Sequence, residues 1–251
     1  MSTATEVRAL QERAARAQPA QHVAHLGDWW LRHAPGCGWW LSAVLPHGDL
    51  PNREELVRRV AEAEAFYARH HAVARWQITP GVCPNDLDTV LAERGYRRHS
   101  PVSLQVASTA TVLQEVTTGD WETRVTDAPS PRWLGAWQKA TRGDVAAVER
   151  MLRRVALPSR YVTVSDGDQV VAVGRTVADS GWAGVFSMAT LPTARGKGAG
   201  RTALAALAAW AADRGIDRMY LQVERDNPAA LRLYERAGFR ELCVYHYRSA
   251  S

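Results

Sequence analysis

A glycine-rich loop between an apolar run and an alanine-rich run is the feature that most constrains this chain. Residues 195–200 read Arg-Gly-Lys-Gly-Ala-Gly; an extended run at 185–190 precedes them, and the period of residues 201–212 predicts a helix. The glycines allow positive φ and close approach of a ligand to the main chain. Unpaired N–H groups at the start of the helix favour an anion, and nearby basic residues add charge. The loop therefore predicts a diphosphate site.

Two other kinds of glycine-rich loop are excluded by their spacing. A Walker loop needs Gly-Lys followed by Ser or Thr, whereas Gly198 follows Lys197 here. A dinucleotide fingerprint needs G-x-G-x-x-G, and the glycines at 196, 198 and 200 alternate instead. The alternative that stays open is a flexible surface turn before a helix.

A second segment supports the diphosphate interpretation. An extended run at 219–223 leads to Asn227-Pro228 and to a predicted helix that carries Tyr234 and ends at a glycine. The pattern R-x-x-G-x-G of the loop, followed by N-x-x-A-x-x-L-Y, resembles the GNAT superfamily of N-acyltransferases. The resemblance is sharp over residues 185–239 and extends from about residue 124 to the end.

The resemblance implies an N-acetyltransferase that uses acetyl-CoA as its co-substrate and needs no metal. The diphosphate would lie on the loop, and the pantetheine arm would pair, like an added strand, with the backbone before it. Asn227 would cap its helix and also contact the coenzyme. The implied cofactor-binding residues are Met188, Ala189, Thr190, Arg195, Gly196, Lys197, Gly198, Ala199, Gly200, Arg201 and Asn227.

Tyr234 stands where the superfamily usually has a tyrosine that donates a proton to the departing sulfur. A phenol, with an ordinary pKa of about 10, is protonated at pH 7 and suits that role. The alternative is an amphipathic helix residue that packs beside Leu233.

The general base is less clearly marked. Many relatives carry a glutamate on the strand before the loop, but residues 184–188 contain no acid here. Glu224, after the second strand, is the candidate, acting directly or through a water. The alternative is a surface glutamate paired with Arg225, and Ser187 could orient a water.

The first half of the chain weakly repeats the second. Residues 76–96 and 221–239 both run strand, loop, helix, glycine, aromatic residue. In place of the glycine loop, the first half has Pro-His-Gly-Asp-Leu-Pro at 46–51, and Leu91 stands in the register of Tyr234. We therefore predict an α/β fold with mixed sheets, made of two GNAT-like domains in tandem with the N-terminal one degenerate, as in the mycothiol synthase group. The alternative is an unrelated α/β domain.

Domain bounds follow from these patterns and from a polar, threonine-rich stretch in the middle of the chain. Two tryptophan-rich stretches, 28–32 and 38–45, are predicted to pair as strands, with adjacent tryptophans on opposite faces. One hypothesis is that one tryptophan of each pair faces a substrate cleft, and the alternative is ordinary packing in or near the core. The predicted parts are an N-terminal helix at 1–21, the degenerate domain at 22–107, a linker at 108–122 and the catalytic domain at 123–251.

Composition limits the partners and the compartment. The net charge of +5 suits an anionic co-substrate and comes from scattered arginines, so nucleic acid is not the expected partner. No run of membrane-spanning length and no secretory leader is seen, and three unpatterned cysteines favour a reduced, cytoplasmic compartment. The expected acceptor is the primary amine of a small molecule, and a monomer is favoured over a homodimer. The functional alternative is a non-catalytic acyl-CoA-binding or regulatory protein.

Overall fold

The computed structural model describes residues 3–50, 52–116 and 118–250, which form two compact units. The first unit contains Met1–Ser103, Glu224–Asp226 and Leu242–Ser251; the second contains Leu104–Val223 and Asn227–Glu241. Both units mix helices with strands, so the predicted fold class is confirmed. None of the helices in the described part of the chain combines the length and apolar character needed to cross a membrane.

Eight helices and eleven strands follow one another along the described residues. The helices are α1 Thr3–Ala17, α2 Arg53–Arg69, α3 Leu87–Glu93, α4 Thr109–Glu115, α5 Pro131–Thr141, α6 Val145–Arg153, α7 Ala199–Ala212 and α8 Pro228–Arg236. The strands are β1 His22–Leu26, β2 Trp29–His33, β3 Leu45–Pro46, β4 Arg75–Ile78, β5 Arg97–Ser108, β6 Glu122–Thr126, β7 Ser159–Asp166, β8 Gln169–Asp179, β9 Trp182–Thr190, β10 Arg218–Glu224 and β11 Arg240–Ser249.

The second unit is built on the strands β10, β9, β8, β7 and β6, which neighbour one another in that order. The pairs from β6 to β9 are antiparallel, and β9 and β10 run parallel. Ser130 and Asp144 cap α5 and α6 through side-chain oxygens, which fixes where these helices begin. The order of elements predicted from the sequence is confirmed: β6, the two helices α5 and α6, the three strands β7 to β9, then α7, β10, α8 and β11.

Helix α7 is mostly alanine and leucine, and it packs into the core of the second unit. Ala203, Leu204, Leu207 and Ala208 are fully buried there. The small alanine side chains let the helix lie close to the sheet, while the leucines fill the space between strands. This packing fixes the first turn of α7 directly after the glycine-rich loop.

The first unit has a three-stranded antiparallel sheet, β1-β2-β3, and a second pairing of β4 with β11. Val44, just before β3, also makes a parallel bridge to Trp76 in β4. The predicted cap of α2 is confirmed, because Asn52 accepts a hydrogen bond from the Glu55 N–H at 2.8 Å.

The weak repeat seen in the sequence corresponds to a repeated helix ending. Gly95 lies two residues after the end of α3 and Gly238 two residues after the end of α8, both with φ of +85°, a conformation that only glycine adopts at no cost. The residue after each glycine donates to a carbonyl in the preceding helix: Tyr96 to Leu91, and Phe239 to Tyr234. Leu91 and Tyr234 thus occupy matching positions, as the sequence register predicts.

The prediction that the two tryptophan-rich stretches pair as strands is confirmed only at one residue. The first stretch forms β2, whose longer pairing is with β1, and of the second stretch only Leu45 pairs with β2, opposite Trp30. The second stretch forms a 3-10 turn, Trp39–Leu41, before the short β3. Two adjacent tryptophans are compatible with a strand or a turn, and the choice depends on pairing between distant residues. Trp39 and Trp40 therefore do not alternate across a sheet.

The predicted linker at 108–122 is also corrected. The predicted linker contains α4. Another residue of the predicted linker, Thr117, lies outside the described residues. The Thr109 hydroxyl donates to the Ile216 carbonyl at 2.6 Å, and Val112 is fully buried in the core of the second unit. The boundary between units falls at residues 103 and 104, and most of β11 belongs to the first unit rather than to the catalytic domain predicted at 123–251. The predicted N-terminal helix at 1–21 corresponds to α1; residues 1 and 2 lie outside the described residues.

Candidate active site

The last residues of β9 leave one backbone edge open. Strand β10 pairs with β9 only as far as Leu221 with Val185, whereas β8 continues to pair with β9 up to Thr190. A bulge lies in between: the register shifts at this point, and Ser187 has a φ of +53°. A bulge bends its strand and ends regular pairing. The backbone from Met188 to Thr190 therefore presents hydrogen-bonding groups on the side away from β8.

Gly174 in β8 leaves room for a side chain opposite this bulge. A Cβ atom at position 174 would lie 2.5 Å from the sulfur of Met188 and 3.1 Å from Leu207. The Met188 side chain thus fills the space that a side chain at 174 would need. The indole of Trp133 donates to the Gly174 carbonyl at 3.1 Å and holds β8 in place from α5.

The glycine-rich loop has the conformation that its sequence predicts. Gly196 and Gly198 have φ of +75° and +94°. The Thr202 N–H makes the first backbone hydrogen bond of α7, to the Gly198 carbonyl at 3.0 Å, so the N–H groups of the preceding turn are available to an anion. Arg195 donates to the Thr190 carbonyl at 3.3 Å and ties the loop to the end of β9.

A tryptophan that the sequence analysis did not single out supports the loop. The indole N–H of Trp121 donates to the Lys197 carbonyl at 3.3 Å. In a trans peptide the carbonyl and the following N–H point in opposite directions. The hydrogen bond from Trp121 therefore orients this peptide so that the Gly198 N–H points away from the indole. No local motif marks Trp121, because it lies just before β6, far from the loop in sequence.

Helix α8 closes the site. Asn227 accepts from the Ala230 N–H at 3.1 Å, which confirms the predicted cap. Tyr234 is 7% exposed and packs edge-to-face against Phe239, with ring centroids 5.9 Å apart. Burial raises the pKa of Tyr234 well above its ordinary value, so the phenol stays protonated at neutral pH. A Cβ at Gly200 would lie 3.3 Å from the Thr190 hydroxyl, so glycine keeps the loop close to β9.

These elements surround a cavity of about 610 Å³. Nine of the eleven predicted cofactor-binding residues line it, and so does Tyr234. Lys197 and Ala199 do not; Ala199 is fully buried. The lining residues are Ala140, Thr141, Met188, Ala189, Thr190, Ala194, Arg195, Gly196, Gly198, Gly200, Arg201, Asn227, Ala229, Ala230, Arg232, Leu233, Tyr234 and Arg236.

The charge of the cavity is one-sided. Four arginines, at 195, 201, 232 and 236, line it, and none of the described lining residues is acidic. Arg232 and Arg236 were not singled out from the sequence, although their spacing of four on α8 could have shown that they share a face. A cavity with this charge and with helix N-terminal N–H groups fits a diphosphate. In the described residues, no group of three His, Cys, Asp or Glu side chains could hold a metal ion.

Glu224, the predicted base, does not line this cavity. It is the last residue of β10 and is grouped with the first unit. The residue as a whole is exposed, but partial burial of its carboxyl group, together with the nearby charge of Asp226, raises its pKa. A carboxyl with a raised pKa is better matched to accept a proton from an amine than an ordinary surface glutamate.

The corresponding place in the first unit is less suited to a diphosphate. The loop between β3 and α2 and the start of α3 surround a smaller cavity, of about 250 Å³, whose charged lining residues are Asp49, Arg53 and Asp86. Its two carboxylates outnumber its one guanidinium and disfavour an anion. This matches the expectation that the first half is degenerate.

Residues 122–239 match the family model described as "Acetyltransferase (GNAT) family". This part of the chain is a GNAT acetyltransferase domain. The predicted class, an acyltransferase of the GNAT superfamily, is therefore confirmed. The match covers every element of the cavity described above.

One relative is similar over nearly the whole chain, and another over less than half of it. An uncharacterized N-acetyltransferase, YobR, of Bacillus subtilis is 26% identical over 97% of this chain and 98% of its own length. A mycothiol acetyltransferase of Clavibacter sepedonicus is 35% identical, over 45% of this chain and 37% of its own length.

Solved structures show the same fold over both units. A GCN5-related N-acetyltransferase from Kribbella flavida has a TM-score of 0.72 at 16% identity, over 100% of this chain and 96% of that one. A tandem GNAT protein from the clavulanic acid biosynthesis pathway has a TM-score of 0.66 at 10% identity, over 100% of this chain and 88% of that one. The two-domain GNAT architecture predicted from the sequence agrees with these neighbours.

Proposed function

We propose that the protein transfers an acetyl group from acetyl-CoA to the primary amine of a small molecule, by direct attack in a ternary complex. The observation that carries this proposal is the cavity of the GNAT domain. Its arginines and glycine-rich loop suit the diphosphate, and the open edge from Met188 to Thr190 suits the amides of the pantetheine arm.

The chain's own groups would then move two protons. The acceptor reacts as a neutral amine, whose nitrogen bonds to the thioester carbonyl carbon and gives up one proton to Glu224. The carbon–sulfur bond breaks, and Tyr234 donates its proton to the departing thiolate. The raised pKa of Glu224, caused by burial and Asp226, and the protonated state of Tyr234 support these roles.

The alternative, a non-catalytic acyl-CoA-binding protein, is less well supported. Tyr234 is retained at the cavity, and the full-length relative from Bacillus subtilis is named an N-acetyltransferase. The similarity to the mycothiol acetyltransferase of Clavibacter sepedonicus covers only 37% of that protein, so it does not identify the acceptor of this protein. The sequence has three cysteines without a paired spacing, which supports a reduced, cytoplasmic compartment. We further propose that the protein acts as a monomer and without nucleic acid.

The test is calorimetric titration with acetyl-CoA beside an assay of thiol release over a panel of amines. Wild type should bind and turn over. Tyr234→Phe should bind acetyl-CoA as wild type does but lose kcat by about 100-fold or more. Tyr96→Phe, which removes a hydroxyl bonded to Glu64 in the first unit, is the matched control and should keep its kcat.

Three outcomes separate the hypotheses. Binding with turnover that falls only in Tyr234→Phe supports the enzyme. Binding without turnover of any amine favours the acyl-CoA-binding protein. No binding of acetyl-CoA by wild type would refute the assignment of the cavity.

A further inference from the structure

Helix α8 contributes two arginines to the cavity of the GNAT domain. Arg232 and Arg236 both line the cavity and are exposed. They are four residues apart, so their side chains leave the same flank of the helix, one turn apart. Tyr234 is two residues from each, which puts it about 160° around the helix axis, on the other flank. The two arginines are therefore directed away from the phenol that would protonate the departing sulfur.

The groups expected to hold the diphosphate lie at the glycine-rich loop, not on α8. Arg195 and Arg201 line the cavity on either side of this loop, and the first turn of α7 offers N–H groups beside them. Leu233 in α8 packs against this turn, since a Cβ atom at Gly200 would lie 3.6 Å from its Cδ2 atom. Helix α8 therefore forms the neighbouring wall of the cavity, and its two arginines are additional to the groups at the loop.

The charges of the two α8 arginines are not neutralised within their own helix. Helix α6, by contrast, pairs Arg153 with Glu149, four residues before it, at 2.7 Å. The acid of α8, Glu235, is exposed and does not line the cavity, although it lies three residues after Arg232. In the described part of the chain, no ion pair or side-chain hydrogen bond engages Arg232 or Arg236. Both guanidinium groups are thus available to an anion in the cavity.

Coenzyme A carries a second anionic group that fits this pair. Its ribose bears the diphosphate at C5′ and a phosphate monoester at C3′, so the two groups are neighbours at the end of the molecule remote from the sulfur. A phosphate monoester has a charge of about −1.5 to −2 at pH 7. Guanidinium groups bind phosphate oxygens through paired, charge-assisted hydrogen bonds. Two arginines one helical turn apart, beside the diphosphate site, match this group in charge and in place.

We propose that Arg232 and Arg236 bind the 3′-phosphate of the acetyl donor. They thereby favour a thioester of coenzyme A over an acyl group carried on phosphopantetheine, which lacks this phosphate. This inference rests on the proposed function and deepens it, because it names the part of the donor that α8 selects. Arg232 and Arg236 act on donor specificity and take no part in the proton transfers.

The test compares coenzyme A with 3′-dephospho-coenzyme A, which differ only in this phosphate, by isothermal titration calorimetry. Wild type should bind coenzyme A about 3- to 30-fold more tightly, the range expected for two exposed charge pairs. The preference should shrink as NaCl is added, because exposed charges are screened. The double variant Arg232→Gln/Arg236→Gln should bind both ligands with the Kd that wild type has for the dephospho form.

Arg153→Gln is the matched control. Arg153 is an exposed arginine in the last turn of α6, in the same unit, and it does not line the cavity. Its replacement changes the net charge as much as Arg236→Gln does but should leave the preference for coenzyme A intact. Glutamine is as good a helix former as arginine, and unchanged affinity for the dephospho form shows that the loop site of a variant is intact.

The inference and the proposed function can fail separately. Equal affinity of wild type for the two ligands overturns the inference, while binding itself still supports the coenzyme site. An equal loss of affinity for both ligands in the double variant also overturns it, because the arginines would then bind the diphosphate. A preference that survives in the double variant assigns the 3′-phosphate to other residues and overturns it as well. If wild type binds neither ligand, the inference and the proposed function are both wrong.

Discussion

The hydrogen bond from Trp121 to the Lys197 carbonyl predicts how tightly coenzyme A is held. Trp121→Phe keeps an aromatic ring in place but removes the indole N–H that orients the peptide between Lys197 and Gly198. One hydrogen bond of this kind contributes about 0.5–1.5 kcal/mol. If the loop must recover this orientation on binding, the Kd for coenzyme A should rise about 2- to 12-fold.

The assay is isothermal titration of wild type and Trp121→Phe with coenzyme A and with pantetheine, which lacks the diphosphate. The loss should appear with coenzyme A and be absent with pantetheine, because only the diphosphate reaches the loop. Trp137→Phe is the control: this tryptophan of the same unit is also half-buried, and its ring lies close to Gly143 instead. Equal affinity of wild type and Trp121→Phe for coenzyme A, or the same loss with pantetheine, would refute the reasoning.

Three further predictions concern the helix ending, the base and α4. Gly238→Ala should lower the free energy of unfolding by about 1–2 kcal/mol, because position 238 has a left-handed φ. The new Cβ would also lie 2.4 Å from the Thr111 methyl group, which should lower the free energy of unfolding further. Urea unfolding of Gly238→Ala, with and without Thr111→Ser, separates the two effects. In wild type, kcat/KM should increase as the pH rises through the raised pKa of Glu224, since the base must be deprotonated, and a pH–rate profile of Glu224→Gln should lack this limb. Thr109→Val should leave the Ile216 carbonyl unpaired and cost about 1–3 kcal/mol in urea unfolding, whereas no loss would mean that α4 is not anchored.

Structure could be predicted from the sequence where it is determined by residues that are close together in the chain. Asn52, Ser130 and Asp144 cap the helices that follow them, and these caps can be recognised from the residues themselves. The glycine-rich loop and the segment that begins at Asn227 can each be recognised from a short motif. Most of the residues that line the cavity were therefore predicted. Local signals carry this information because each depends on contacts within one or two turns.

The sequence was not sufficient where structure depends on distant pairing. The bulge at Ser187 has no glycine to mark it, and it arises from the mismatch between β8 and β9. Helix α4 was mistaken for a linker because its polar face resembles a loop, while Val112 and Thr109 are anchored by residues about a hundred positions later. The hydrogen bond from Trp121 to the Lys197 carbonyl likewise joins segments that are far apart along the chain.

The pairing of β11 with β4 has a consequence for how the protein is made. Residues 242–249 complete the first unit, so that unit still lacks an edge partner for β4 when everything up to β10 has left the ribosome. Domains generally fold in the order of synthesis. Here the half that begins first is finished last, and the second unit must fold while one edge of β4 in the first unit is still unpaired. A stop codon a few residues before position 242 would therefore damage the N-terminal half of the protein rather than the GNAT domain.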